Sequence, residues 1–454
     1  MGINKYLQNQ LQASVSIAPL VVFRIVFGAL MLFSTLRFWY LGWIEDHYIQ
    51  SKVQFKYFGF EWVQLLPPNA MYLLHIVMII SALGIMLGAW YRWSAVLFFL
   101  AFTYTELIDL TYYLNHYYFV SLVAFLMIFV PAHRSFSVDS RRDPSLKSAT
   151  VPYWTIFIFQ FQLAIVYTYA GLAKINYTWL VEAMPLRIWL PANDQQPLIG
   201  PLMTWKYMPW IFSWAGMLYD CTIVFGLAWA RTRAWAYATV IVFHVMTGML
   251  FQIGVFPLVM IGCTTIFFSP AFHTILLQKM RLLPLFSSRT TLPLEKTAAP
   301  TPNWQLKKSN MRAAFFIAFF IVQLLFPFRA YLYPGNFYWT EQGYRYSWRV
   351  MLMEKAGTAT FFIKDGVTGR ETVVNNGDFL CAHQEKQMSM QPDMILQFAH
   401  FLKKHYESMR VSVGSIRAEV FVTLNAQPSR LLIDPQIDLT QIQDSWAHKN
   451  WILD

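Results

Sequence analysis

Long apolar runs separated by short polar loops fill the chain as far as residue 328; past residue 330 short alternating segments of ordinary polar density replace them. A bilayer core of about 30 Å needs about 20 apolar residues per helix. The runs at 17–38, 71–90, 93–112, 115–131, 153–175, 207–230, 234–251, 252–269 and 312–328 meet that length within a few residues and predict about nine transmembrane helices. Trp39, Tyr40, Trp90, Tyr91, Trp93, Tyr153 and Trp154 fall at their ends, where interfacial aromatic belts form. Beyond the last run, "ATFFIKDGVTGRETVVN" predicts two strands around an Asp-Gly/Thr-Gly turn. Helical spacing of Met394, Phe398, Phe401 and Leu402 predicts a helix over 390–410, and "RAEVFVTLN" and "RLLID" predict further strands. The fold class expected is therefore a polytopic α-helical membrane protein, residues 1–330, with a C-terminal extracytoplasmic β-rich α+β domain, residues 331–454. Residues 271–311, rich in proline and serine over 284–311, read as a cytoplasmic linker.

Composition supports the membrane reading. Only 13% of the 454 residues are charged, about half the share usual in soluble domains. The net charge of +11 does not point to nucleic acid, because the basic residues lie in short loops and no basic helix, RNP-like motif or Cys/His finger accompanies them. Their distribution sets orientation instead. One alternate set of loops carries Lys5, Arg92, Arg134, Arg141, Arg142, Lys147, Arg231, Arg233, Lys279 and Arg281, while the other has little beyond Lys52, Lys56, Arg187 and Lys206. The positive-inside rule puts the first set and the N-terminus in the cytoplasm, and nine crossings put residues 331–454 outside. The first run has no small-residue cleavage site after it and is expected to act as a signal anchor. The three cysteines do not make a disulfide framework.

Ionisable residues within apolar runs are costly, and each is a candidate site. In the fifth run Tyr167, Ala170, Gly171 and Lys174 share one helix face, with two small residues leaving a gap beside the lysine. Lys174 either serves a ligand there or snorkels to the outer interface. His116 opens the fourth run at its outer end, and His244 lies nearer mid-depth in the seventh; each is either a helix–helix hydrogen bond or part of a site. With no HxxxH or Cys/His spacing, no metal site is expected. Arg24 and Asp220 fall in the inner halves of their runs and are expected to form a structural ion pair. Glu106 and Asp109 either line the same outer cavity or cap neighbouring elements.

With these residues in view, the chain resembles the vitamin K-dependent gamma-glutamyl carboxylase family, in its bacterial, horizontally-transferred-transmembrane-domain form. "NHYY" at 115–118 resembles the family's Asn-His-x-Tyr segment, "YAGLAKINYTW" at 169–179 its Ala-Gly-x-x-Lys segment, and "FHVMTGMLFQIG" at 243–254 its third block. "WTEQGYRYSW" at 339–348 is similar to the block implicated in glutamate binding, and "LLIDPQIDLTQIQDSW" at 431–446 to the closing Asp-Pro segment. The resemblance implies reduced vitamin K (a hydroquinone), O2 and CO2 as co-reactants, with quinol epoxidation coupled to γ-proton abstraction and carboxylation of glutamate. Lys174 takes the family role of base toward the quinol, which a lysine can fill as the neutral amine. His116 and His244 assist and position. Trp339, Tyr344, Ser347 and Trp348 map onto the glutamate-binding block; the plainer alternative is an aromatic collar between the last helix and the outer domain.

The implied partners are a glutamate-containing exported protein or peptide and the lipid-borne quinone. The chain is much shorter than the animal carboxylases, has one cysteine in its outer part, and carries Ala173-Lys174 where they have a lysine doublet. These departures leave the quinone chemistry more secure than the carboxylation. A bacterial cytoplasmic membrane is the expected location. The competing readings are a quinol epoxidase or monooxygenase without carboxylation, and a non-catalytic membrane protein that binds lipid or a partner chain.

Overall fold

The computed structural model describes residues 9–197, 199–280 and 310–453. Among them, helices occupy all nine predicted positions: α1 Ala18–Tyr40, α2 Pro68–Leu87, α3 Tyr91–Ile108, α4 Asn115–Phe129, α5 Trp154–Ala173, α6 Met208–Ala228, α7 Arg233–Leu250, α8 Phe256–Thr264 and, after a further helix, α10 Asn310–Leu325. Five segments are long and apolar enough to cross a membrane: α1, α2, α5, α6 and Met311–Leu332, which includes most of α10. The apolar helices at α4 and Phe256–Phe267 are shorter. Helix α9, Pro270–Met280, was not expected. It occupies the start of the predicted linker and packs on α1, with His273 buried and bonded to the carbonyls of Ser269 and Thr265 at 2.9 and 3.1 Å. Residues 281–309 of that linker lie outside the described residues.

Arg24 and Asp220 do not pair. Arg24 is fully buried, and its guanidinium donates to the carbonyls of Ile85 at 3.3 Å and Phe136 at 2.6 Å. It thus caps the C-terminus of α2, where exposed carbonyls favour a cation. Gly88 ends that helix at φ 63°, and a Cβ there would meet Arg24 Nη1 at 2.0 Å, so both backbone and space require glycine. Asp139 complements it at the next helix start, accepting from the backbone N–H of Trp90 and Tyr91 at 2.7 and 2.9 Å. Asp220 has a different partner, described below.

A two-stranded pair, β1 Ser14–Ser16 with β2 Thr150–Pro152, ties the chain before α1 to that before α5. The C-terminal sheet contains β3 Lys355–Asp365, β4 Glu371–Val373, β5 Val413–Leu424 and β6 Arg430–Leu431, antiparallel in the order β4-β3-β5-β6. Period-two alternation turns Phe361 and Ile363 inward, onto Phe398 of the amphipathic helix α12, Pro392–Ser408. Between the strands runs the shorter helix α11, Ala382–Met388, which ends before α12 begins.

The loop after α1 belongs to this core, contributing Val53, Phe55 and Tyr57. Polar contacts fasten the two parts. Lys56 and Gln397 exchange hydrogen bonds at 2.7 and 2.9 Å, and Gln384 Nε2 reaches the Val53 carbonyl at 2.7 Å and Asp109 Oδ2 at 2.9 Å. Asp109 also caps the turn at Thr111, so it anchors the joint between helices and sheet. The residues that follow the last helix cross this joint. Within 346–351, Tyr346, Trp348 and Met351 hold φ of 61°, 58° and 55°, conformations that non-glycine residues adopt only where the surroundings impose them.

Candidate functional site

Lys174 caps the end of α5, and its small-residue face turns toward α6. A Cβ on Gly171 would lie 2.7 Å from the backbone nitrogen of Cys221, so the two helix backbones meet here with no room for a side chain. That approach brings Asp220 to Lys174: Nζ donates to Oδ2 at 2.7 Å and to the Ala170 carbonyl at 3.2 Å. Both residues are buried, 6% and 5% exposed, so the lysine does not snorkel to the interface. The Trp179 ring centre lies 5.5 Å from Nζ, with Trp179 Nε1 donating to the Ser213 carbonyl at 2.9 Å.

Tyr167, two turns back on the same face, links the lysine's helix to two others. Its hydroxyl lies 3.2 Å from His244 Nε2 and 3.4 Å from Thr264 Oγ1. His244 Nδ1 is buried with no partner among the described residues. Lys174, Asp220, Tyr167 and His244 line a chamber of about 90 Å³, space for about three waters. The structure therefore unites three elements of the predicted set, Lys174, His244 and Asp220, at one place.

His116 lies next door. At the start of α4 it lines a second chamber, of about 420 Å³, together with Asn115, Glu106 and Trp348. Val166, Ile253, Phe256, Val350 and Met351 line both chambers. Phe256 touches both histidines, its ring centre 5.3 Å from His116 and 5.7 Å from His244. The wall between the chambers is thus entirely apolar side chain, a kind of partition that rotamer changes can open.

The block at 339–348 divides. Trp348 is in the larger chamber, stacked on Tyr118 at 5.0 Å, with Nε1 buried and unpartnered among the described residues. Tyr344 lines an outer cleft of about 320 Å³ with Arg345, Arg349, Lys355 and Lys386, and donates to the Arg349 carbonyl at 3.1 Å. Met351 lines this cleft and both chambers. Trp339, in contrast, is 1% exposed in the core of the C-terminal sheet, donating to the Leu453 carbonyl at 2.6 Å beneath the Arg430 guanidinium at 4.1 Å. Ser347 is buried and spends its hydroxyl on the Tyr344 carbonyl. Neither reaches a chamber wall, so both support the block from behind.

Two residues at the site escaped the sequence. Asp220 was seen but assigned the wrong partner; the signal for the right one was Gly171, a small residue on Lys174's own face. Nothing in the sequence marks Met351.

Fold and site together define a polytopic helical membrane protein whose buried polar cluster lies beneath a C-terminal α+β layer. The HTTM domain family matches residues 13–272, and the lumenal domain of the vitamin K-dependent gamma-carboxylase matches residues 308–454. The chain belongs to the vitamin K-dependent gamma-carboxylase family. No solved structure matches it.

Proposed function

We propose that the protein is a vitamin K hydroquinone-dependent gamma-glutamyl carboxylase of a bacterial inner membrane, with the N-terminus cytoplasmic and the C-terminal part outside, acting on glutamate in an exported protein or peptide. The observation that carries this reading is the buried Lys174–Asp220 pair at 2.7 Å, facing Tyr167 and His244 across a small, mainly apolar chamber. Two opposite charges out of water are costly, and single removal of either is more so. Such a pair has a second state open to it. Moving one proton from Nζ to Oδ2 leaves a neutral amine and a neutral acid, and the amine can then accept a proton from a hydroxyl placed beside it.

Reduced vitamin K suits the surroundings. The larger chamber combines aromatic and aliphatic walls with polar side chains, and His116 and Trp348, its Nε1 unpartnered among the described residues, are among the groups suited to orient a ring oxygen. When bound, the hydroquinone supplies, on oxygenation by O2, the strong base that removes the glutamate γ-proton so that CO2 can add. The protein's part is to hold the ring with one hydroxyl toward Lys174, which requires Met351 or Phe256 to swing aside. It must also keep water out of the chambers. The outer cleft offers four cations against the carboxylates of Glu341 and Glu354, a field that favours an incoming carboxylate. Met351, shared by cleft and chambers, stands where an outer substrate and the quinol would meet.

A second reading, quinol epoxidation without carboxylation, is favoured by one observation: Lys355 in the cleft is already engaged by Glu341 at 3.0 Å. One assay separates them. Purified protein, reduced vitamin K, a glutamyl peptide and labelled bicarbonate should give both epoxide and labelled peptide, and Lys174→Ala neither. Epoxide without label leaves only the epoxidase. If folded wild-type protein forms neither product, both enzyme readings fall.

A further inference from the structure

A further cavity of about 650 Å³ opens where α3 and α4 meet the C-terminal layer, sharing Arg345 and Glu341 with the outer cleft and Glu106 with the larger chamber. Its two halves differ in chemistry. The lower half is helix side chain, with Phe99 from α3 and Leu122 and Phe125 from α4. The upper half holds Arg329, Arg345 and Lys449 together with the carboxylates of Asp393, Asp444 and Glu341, the last paired with Lys355 outside the cavity, and Glu106 of α3 also lines the wall. Phe58, Phe60 and Trp446 also line it and are 41%, 40% and 57% exposed, the aromatic residues of a membrane–water interface.

Two of the three cations are matched. Arg345 binds Asp393, with Nη1 to Oδ2 at 2.5 Å, and Lys449 binds Asp444. Arg329 has no carboxylate partner among the described residues. Its Nη2 donates to the Arg345 carbonyl at 2.6 Å, its plane lies 4.1 Å over Phe326, and its Nη1 is buried with no acceptor among the described residues. A guanidinium so placed lacks a counter-charge and has donors left over, and a phosphate provides both the charge and further acceptors. An uncharged quinol can accept a hydrogen bond but brings no counter-charge, which separates this cavity from the cofactor route.

We propose that this cavity is a binding site for an anionic phospholipid, its phosphate on Arg329 and one acyl chain between α3 and α4. The apolar half fits a chain that stays in the bilayer, and the charged half lies at headgroup depth. The inference does not rest on the carboxylase reading, because none of its residues touches Lys174, His116 or His244.

The test uses purified full-length protein, with native mass spectrometry and thermal unfolding as readouts. It compares dioleoylphosphatidylglycerol, dioleoylphosphatidylcholine and inorganic phosphate at matched concentration. Phosphatidylglycerol should be retained and raise the unfolding temperature well above the other two. Arg329→Gln should weaken its binding about tenfold or more. Ser121→Trp, which fills the apolar half without touching a charge, should do the same and carries the test if the arginine variant fails to fold. Equal retention of the two lipids would overturn the proposal, as would wild-type retention in both variants. A shift from inorganic phosphate as large as that from phosphatidylglycerol would also overturn it, leaving a simple anion pocket.

Discussion

Replacing Asp220 by asparagine keeps the volume of the side chain and removes its charge. Lys174 then loses its counter-charge and keeps only neutral partners, the amide oxygen introduced at 220, the Ala170 carbonyl at 3.2 Å and the Trp179 ring at 5.5 Å. The side chains of the pair are 8% and 7% exposed, so solvent cannot screen the loss. Breaking a buried pair by removing one partner costs about 3–5 kcal/mol. At roughly 2 °C per kcal/mol, appropriate to a large chain, the unfolding midpoint should fall by about 6–10 °C. The double substitution Lys174→Met with Asp220→Leu removes both charges and fills the space with apolar atoms. It should return stability to within about 1 kcal/mol of the wild type. Thermal unfolding in one detergent, alongside epoxide formation from reduced vitamin K, measures both quantities. Epoxide formation should be lost in the single and the double variant alike, so that stability recovers without activity. Two results would refute the reasoning: an Asp220→Asn protein as stable as wild type, or a double variant no more stable than the single one.

Gly171→Ala would set a methyl group 2.7 Å from a backbone nitrogen that cannot yield. Helices α5 and α6 must then part, at a cost of about 1–3 kcal/mol, and epoxide formation should fall with the lengthened ion pair. Trp339→Ala should cost about 3–5 kcal/mol by emptying the sheet core, yet leave the activity per folded molecule near wild type. Trp348→Phe should do the reverse, sparing stability while raising the quinol KM through loss of the unpartnered Nε1. Burial alone pushes the Asp393 carboxyl up, but the Arg345 guanidinium outweighs burial and holds it below its ordinary value. A depressed carboxylate stabilises the fold above its unfolded pKa of about 3.9 and loses that contribution as pH falls through the lower folded value. Acid titration of Asp393→Asn should therefore show less loss of stability below about pH 4 than wild type does.

The sequence by itself determined where most of the helices and the C-terminal strands lie, because hydrophobic period and run length are local properties. Each of the nine apolar runs is a helix, and the turn at 365–370 separates two strands as its Asp-Gly and Thr-Gly pairs require. It also marked Lys174, His116 and His244, since an ionisable group in an apolar run stands out whatever surrounds it. Partners are not local. Depth along the helices suggested Arg24 for Asp220, but the rotation of α6 and the missing side chain at Gly171 give Asp220 to Lys174, while Arg24 caps α2. The 339–348 block looked uniform as a string, yet the turns at Tyr346 and Trp348 send Trp348 into a chamber, and Trp339 faces the sheet core. Only the tertiary structure could decide this, because which side of a segment meets a cavity depends on backbone conformations that the packed neighbours impose.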